Sequence, residues 1–387
     1  MGAVRAVLVL VLLVVAIGAQ SAGAASISIT GPEEVVYDWS TMRCFEGDMV
    51  DGTTRAFRDS LGQVQLTLGF ANTRMIGPEL DNLAHDCTVT LSSNNNPLAW
   101  EYDGINWVGG GWTWDGQEVF RLVHTEYHGN QTPGYCQGEQ FICGYNTITF
   151  ARSTDRGASY QRPPIPDHLV AALPYHYVPS EGRVGYFAPS NIIEKDGFLY
   201  SLVLVSAEYK RQRAGVCLMR TQDPGDPKSW RAWDGNGFHS RFVDPYRESN
   251  EPVNRHVCEP VSADRLGQLN RSVTWNSHLN KYVAIGSGNR YDPVKGEVVI
   301  GFFYSFSDDL IDWTEQEFLM EVETYGSWMC GDPDIRAYPA LLDPDAPDRN
   351  FTITDGQAYM YFMVHRRPNC VWTNDRDLVR VPVEFTP

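Results

Sequence analysis

Cations are scarce in this chain: 31 Lys plus Arg stand against 48 Asp plus Glu over 387 residues, a formal charge of -17. A surface of that sign repels a phosphate backbone, so nucleic acid is not expected as a partner. Beyond the first 24 residues no apolar run approaches the ~20 residues of a spanning helix, so no membrane association is expected once that leader is gone. Also missing are a P-loop, a strand-following G-x-G-x-x-G, H-E-x-x-H and G-x-S-x-G, which argues against nucleotide, zincin and serine-hydrolase chemistry. There is no C-x2-C pair to hold zinc, and no Pro/Ser-rich linker to divide the chain.

At the start, Arg5 precedes an apolar run over residues 6–17, and Ala22-Gly23-Ala24 supplies an A-x-A cleavage site. This reads as a secretory signal over residues 1–24, the run being too short for an anchor, and it predicts a secreted, extracellular or periplasmic protein. All eight cysteines (44, 87, 136, 143, 217, 258, 330 and 370) follow the leader. An even count in an oxidising compartment reads as disulfides, with neighbours paired and Cys136–Cys143 the shortest bridge.

The remainder is rich in punctuation, with 34 Gly and 23 Pro, and in aromatics, with 17 Phe, 19 Tyr and 11 Trp. One phrase recurs: a strand, a tight turn, a second strand, then a third that ends near Ser/Thr-x-Asp and an aromatic residue. Copies fall at residues 55–68, 107–160, 187–230, 272–313 and 337–383. Period-two strands meeting at D-G turns are antiparallel sheets, and radial closure of such sheets gives a propeller. The expected fold is all-β, a five-bladed β-propeller over residues 55–387, with 25–54 as an N-terminal strand and lead-in. Two stacked sandwiches are the alternative.

Three stretches carry a family resemblance. Ser153-x-Asp155-x-Gly157-x-Ser159-Tyr160 resembles the Asp-box of sialidase-like propellers. Phe187-Ala188-Pro189-Ser190-Asn191-Ile192-Ile193, then Asp196-Gly197-x-x-Tyr200, is similar to a strand pair of the five-bladed glycoside hydrolases of families 43, 62, 32 and 130. Ser307-x-Asp309-Leu310-Ile311-Asp312-Trp313 resembles their outer hairpin. The resemblance implies a carbohydrate-active propeller without selecting one family. Its usual three inner-strand acids are not matched intact: Asp59 answers to the first, Ser190-Asn191 stands at the middle position, and Glu259-Pro260 lacks the expected glycine.

In a propeller, first strands start and second strands end on one face, around a central depression. Val123-His124-Thr125-Glu126-Tyr127-His128 places His124, Glu126 and His128 on one side of a strand. Three titratable groups so placed serve acid/base chemistry or a divalent metal, unless neighbouring loops merely satisfy a polar strand end. Glu126 and Asp59 are the expected catalytic pair, with Glu208 in reserve. Arg58 and Arg271 would present guanidinium forks to an anionic sugar, unless each pairs with a local carboxylate. His85, Asp86, Trp112, Asn191 and His365 complete the expected substrate contacts, Trp112 beside Gly109-Gly110-Gly111 as a stacking platform or simply as packing. The expected activity is hydrolysis of a glycosidic bond in an extracellular, anionic polysaccharide by a monomer. No cofactor is required, although a divalent cation at His124, Glu126 and His128 is an option. A polysaccharide lyase and a non-catalytic sugar-binding propeller are the alternatives.

Overall fold

The computed structural model describes residues 25–179, 182–207, 212–248 and 253–387; the leader and Glu208 lie outside the described residues. Strands β1 (Ser26–Ile29) and β2 (Glu34–Tyr37) open the chain, followed by one helical turn, α1 (Trp39–Met42). Five antiparallel meanders follow. The first comprises β3 (Ala56–Arg58), β4 (Val64–Thr67), β5 (Arg74–Glu79) and β6 (Asn82–Asp86); the second comprises β7 (Ile105–Trp112), β8 (Val119–His128), β9 (Gly144–Ser153) and the edge strand β10 (Leu169–Ala171). In the third, β11 (Val184–Phe187) and β12 (Ile193–Lys195) pair with β13 (Phe198–Ser206), which continues to β14 (Gly215–Thr221), β15 (Arg231–Ala232) and β16 (Ser240–Arg241). The fourth comprises β17 (Ser272–Asn276), β18 (Lys281–Asp292), β19 (Glu297–Ser307) and β20 (Glu317–Glu321). The fifth comprises β21 (Ile335–Leu342), β23 (Gln357–His365) and β24 (Arg376–Thr386), while β22 (Ile353–Thr354) lies parallel to β17. Strand β1 completes this last sheet against β24, in the register Ile27 opposite Phe385.

Side chains and strand pairs close the ring. Asn72 donates to the Asn106 carbonyl and accepts from the Val108 amide, joining the first sheet to the second. Parallel pairing of β9 with β11 joins the second to the third, and Asn191 clasps both backbone groups of Val273 to join the third to the fourth. The Leu341 amide donates to Ser272 Oγ, and Arg349 donates to the carbonyls of Arg58 and Asp59, which returns the ring to its start. Arg55, Gly111, Asn191, Ser272 and Leu341, one from the innermost segment of each sheet, line a common central cavity. The fold is a five-bladed β-propeller.

Between blades the packing is apolar: Phe302 meets Phe362 edge to face at 5.5 Å, and Trp230 and Trp313 are wholly buried. The Asp-box works as a turn clasp, Ser153 Oγ accepting from the Gly157 amide and Asp155 from the amide and hydroxyl of Ser159. Asp309 does the same for the amides of Ile311 and Asp312. The cysteines pair with their neighbours, as Cys44–Cys87, Cys136–Cys143, Cys217–Cys258 and Cys330–Cys370. Two faces result. The turns between first and second strands lie on one, the hairpin face; the starts of first strands and the ends of second strands lie on the other, the mouth.

Candidate active site

Strand β8 is buried along its whole length because blades flank it on both sides. Its period-two alternation brings His124, Glu126 and His128 to the mouth on one side, each no more than 9% exposed. His128 Nε2 donates to Glu126 Oε2 at 2.8 Å, and the Arg183 guanidinium pairs with Glu126 Oε1. His124 Nε2 donates to Asn146 Oδ1 at 2.9 Å, and its ring packs 5.5 Å from that of Trp107. Burial works against the Glu126 charge, but the His128 hydrogen bond and Arg183 outweigh it and hold the carboxyl at about 2. Burial pulls His124 down to about 4, so at neutral pH the anionic Glu126 carboxylate stands beside a neutral His124 imidazole.

Opposite β8 stands Asp51, in the turn that leads into β3. Its Oδ1 accepts from Tyr338 Oη at 3.1 Å and pairs with Arg376 at 2.5 Å. Burial raises the Asp51 carboxyl, Arg376 and Tyr338 oppose that, and the Glu126 charge adds to the rise. Tyr338 takes a left-handed backbone, φ 63°, where β21 slips register against β23 between Ala337 and Ala340. Such a backbone costs a non-glycine residue about 1–3 kcal/mol and persists where the surroundings enforce it. Here the Asp51 bond and the Arg271 guanidinium, 5.1 Å over the ring, fix the tyrosine.

Two arginines complete the depression. Arg55 is 4% exposed and donates to the carbonyls of Thr54, Pro189 and Arg271. Neither Arg55 nor Arg271 has an ion-pair partner among the described residues. Burial, with the charges of Arg271 and Arg121 added, lowers Arg55 to about 9. A buried cation without an ion-pair partner is costly, and Arg55 with the part-buried Arg271 beside it gives the depression a positive lining.

Of the residues singled out from sequence, Glu126, His124, His128 and Arg271 come together here. His365 ends β23 on the same face, where Nε2 donates to the Thr373 carbonyl and Nδ1 accepts from Tyr325 Oη. Others do not converge. Because β3 begins at Ala56, Arg58 is its last residue and Asp59 opens the turn on the hairpin face. Asp59 accepts from the amides of Leu61 and Gln63 and from Gln65 Nε2, while Arg58 donates to the carbonyls of Gly62 and Pro78. Trp112 ends β7 on that same far side, edge-on to Trp114. Asn191 is occupied with Val273. On the outer strand β6, His85 lies between the Met42 carbonyl and Asp48, and Asp86 pairs with Arg74.

The ligand atoms of His124, Glu126 and His128 do not gather within 4.8 Å of one another. Cys44, His85 and Cys87 do so, but the two sulfurs form a disulfide and are not thiolates. Sequence reasoning missed Asp51, Arg55, Arg183, Tyr338 and Arg376. The one available signal was Asp51-Gly52 just ahead of the first inner strand, four residues before Arg55.

No family model matches this chain, and no curated protein matches it. Among solved structures it is similar to a sucrose-6-phosphate hydrolase from Lactobacillus gasseri, at 12% identity and a TM-score of 0.47, over 85% of this chain and 58% of that one. It thus spans less than two thirds of that hydrolase. It is also similar to an alpha-L-arabinanase from Cellvibrio cellulosa, at 12% identity and a TM-score of 0.43, over 85% and 91% of the two chains. An N-acetylgalactosamine deacetylase from F. plautii, in complex with blood group B trisaccharide, is similar at 11% identity and a TM-score of 0.47, over 91% and 95%.

Proposed function

We propose that the protein is exported and hydrolyses glycosidic bonds of an extracellular, anionic polysaccharide, with Asp51 and Glu126 as the acid pair. One observation carries the reading: two carboxyls in one arginine-lined depression are driven in opposite directions, Asp51 up by burial and Glu126 down by His128 and Arg183. Such divergence separates acid from base on a single scaffold. Glu126, ionised at any physiological pH, serves as base or nucleophile. Asp51, the carboxyl that burial pushes up, is the proton donor to the leaving oxygen as the glycosidic C–O bond breaks and water completes the product. Arg55 and Arg271 supply counter-charge for an acidic sugar, and Trp107 and Phe187 border the site with apolar faces. Four disulfides, with no helix among the described residues long and apolar enough to cross a membrane, support an extracellular setting.

The test is a screen of the purified mature protein against acidic and neutral polysaccharides, reading reducing ends together with absorbance at about 235 nm, where the unsaturated product of proton abstraction absorbs. Reducing ends without absorbance are expected. Both signals together would establish a lyase, and binding without either would establish a non-catalytic propeller.

A further inference from the structure

Beyond the central depression, two loops rise from the mouth side of the fifth blade, one ahead of β21 and one after β23, joined by Cys330–Cys370. They carry an exposed apolar group. Trp372 is 56% exposed, Met329 69% and Val371 58%. Within the lobe the Arg367 guanidinium is held between two indoles, 4.0 Å from Trp328 and 4.7 Å from Trp372. Among the described residues no carboxylate pairs with Arg367, although its neighbour Arg366 takes both Asp334 and Asp377. In a chain of charge -17, an arginine left over among so many acids is conspicuous.

The lobe is continuous with the depression. Trp372 lies edge-on to His365 at 5.0 Å and 5.8 Å from Tyr325, and both Trp372 and Tyr325 lie about 6 Å from the guanidinium of Arg376. Arg376 is the ion-pair partner of Asp51. A path of rings and cations therefore runs from the proposed acid out to an exposed indole.

We propose that this lobe is an outer subsite that binds a second anionic sugar residue of the chain being cleaved. The proposal rests on the polysaccharide reading above and names how that substrate is gripped away from the scissile bond. The apolar face of a sugar ring lies on the Trp372 indole, as such rings do on aromatic side chains in water. Its carboxylate or sulfate meets the Arg367 fork, which the flanking indoles hold in place and whose planar donors match two anionic oxygens. The disulfide fixes both loops beforehand, so little ordering is lost on binding.

Binding rather than turnover tests it. Full-length mature protein carrying Glu126→Gln is titrated calorimetrically with polygalacturonate, dextran sulfate and neutral xylan, with and without changes in the lobe. At least one of the two acidic polymers is expected to bind, and which one does so distinguishes carboxylate from sulfate. Trp372→Ala is expected to weaken that binding tenfold or more, Trp372→Phe to stay within threefold of the starting protein, and Arg367→Gln to weaken it and flatten its salt dependence. Unchanged affinity in both Trp372→Ala and Arg367→Gln overturns the proposal, as does binding of xylan alone. Equal loss in Trp372→Ala and Trp372→Phe, with a lowered melting temperature, also overturns it by showing a merely structural role. Failure of the hydrolytic reading shows separately, as absence of reducing ends from the unmodified protein on a polymer it binds.

Discussion

The two faces of this propeller are built by different means. On the hairpin face the connections are short, and carboxylates hold them: Asp59, Asp115, Asp155, Asp309 and Asp348 each accept from backbone amides in their own turn. On the mouth face some connections are long, as between β8 and β9, and each of the four disulfides lies close to the mouth end of a strand. A tight turn leaves a few local amides that one side chain satisfies. A long loop has more freedom to lose and gains most from a covalent tie. Some mouth carboxylates still cap turns, as Asp292 does for the amides of Val294 and Lys295, but Asp51 and Glu126 bind side chains from other segments instead. A buried acid whose partners are its own turn's amides is part of the scaffold; one whose partners are arginine, histidine and tyrosine is available for chemistry.

Exchanging acids between the faces is the strongest way to break this contrast. Asp51→Asn or Glu126→Gln is expected to cut kcat on a confirmed substrate by about 10²–10⁴, as loss of an acid or base does, whereas Asp59→Asn should stay within about threefold. Equal losses at Asp51 and Asp59, read by reducing-end release, would remove the distinction. Next in size is the covalent tie of the mouth. Replacing Cys330 and Cys370 together by Ala frees a span of 40 residues, which chain entropy values at roughly 4 kcal/mol. Urea denaturation should show that loss, and the Arg367 lobe should lose its hold on acidic polymers with it.

The third prediction concerns pH. His124 and His365 are both held down to about 4, below the ~6.5 of an unfolded chain. As pH falls through that window the unfolded chain takes up the protons first, so stability declines from about pH 6.5 to about pH 4, by up to ~3 kcal/mol for each ring. Comparing melting temperatures at the two ends of the window, the drop should be smaller in His124→Gln than in the unmodified protein. Smallest is the loss of a single cap. Asp59→Ala strands two amides and the Gln65 amide group, and is expected to cost about 2 kcal/mol in urea denaturation, with catalysis intact.

Much of the scaffold was legible because it is local. D-G turns, Ser-x-Asp clasps and alternating strands are written within a few residues of one another, and so is the triplet on β8, whose spacing alone puts three groups on one side. Neighbour pairing of the cysteines follows from the same locality. The acid partner was not legible. Asp51 lies in an irregular turn without period, and what marks it is contact with Tyr338 and Arg376, almost the whole chain away. Asp59, by contrast, stood beside a clear strand and drew the eye for that reason; a strand starting at Ala56 and ending at Arg58 puts it at the wrong end. Ring closure is the missing information, since only closure brings β21 and β24 next to the turn before β3.

The pairing of β1 with β24 also sets the order of events in folding. Four sheets can form from consecutive stretches of chain as they appear, but the fifth waits for Ser26–Ile29 to find the final strand. That contact has nearly the greatest sequence separation the chain allows, and long-range pairing is slow. Until it forms, the part of β24 that β2 does not cover keeps an open edge, a template for unwanted partners. The pairing of β1 with β24 therefore acts as a latch, and the apparent unfolding rate should depend on how firmly its four paired residues are held.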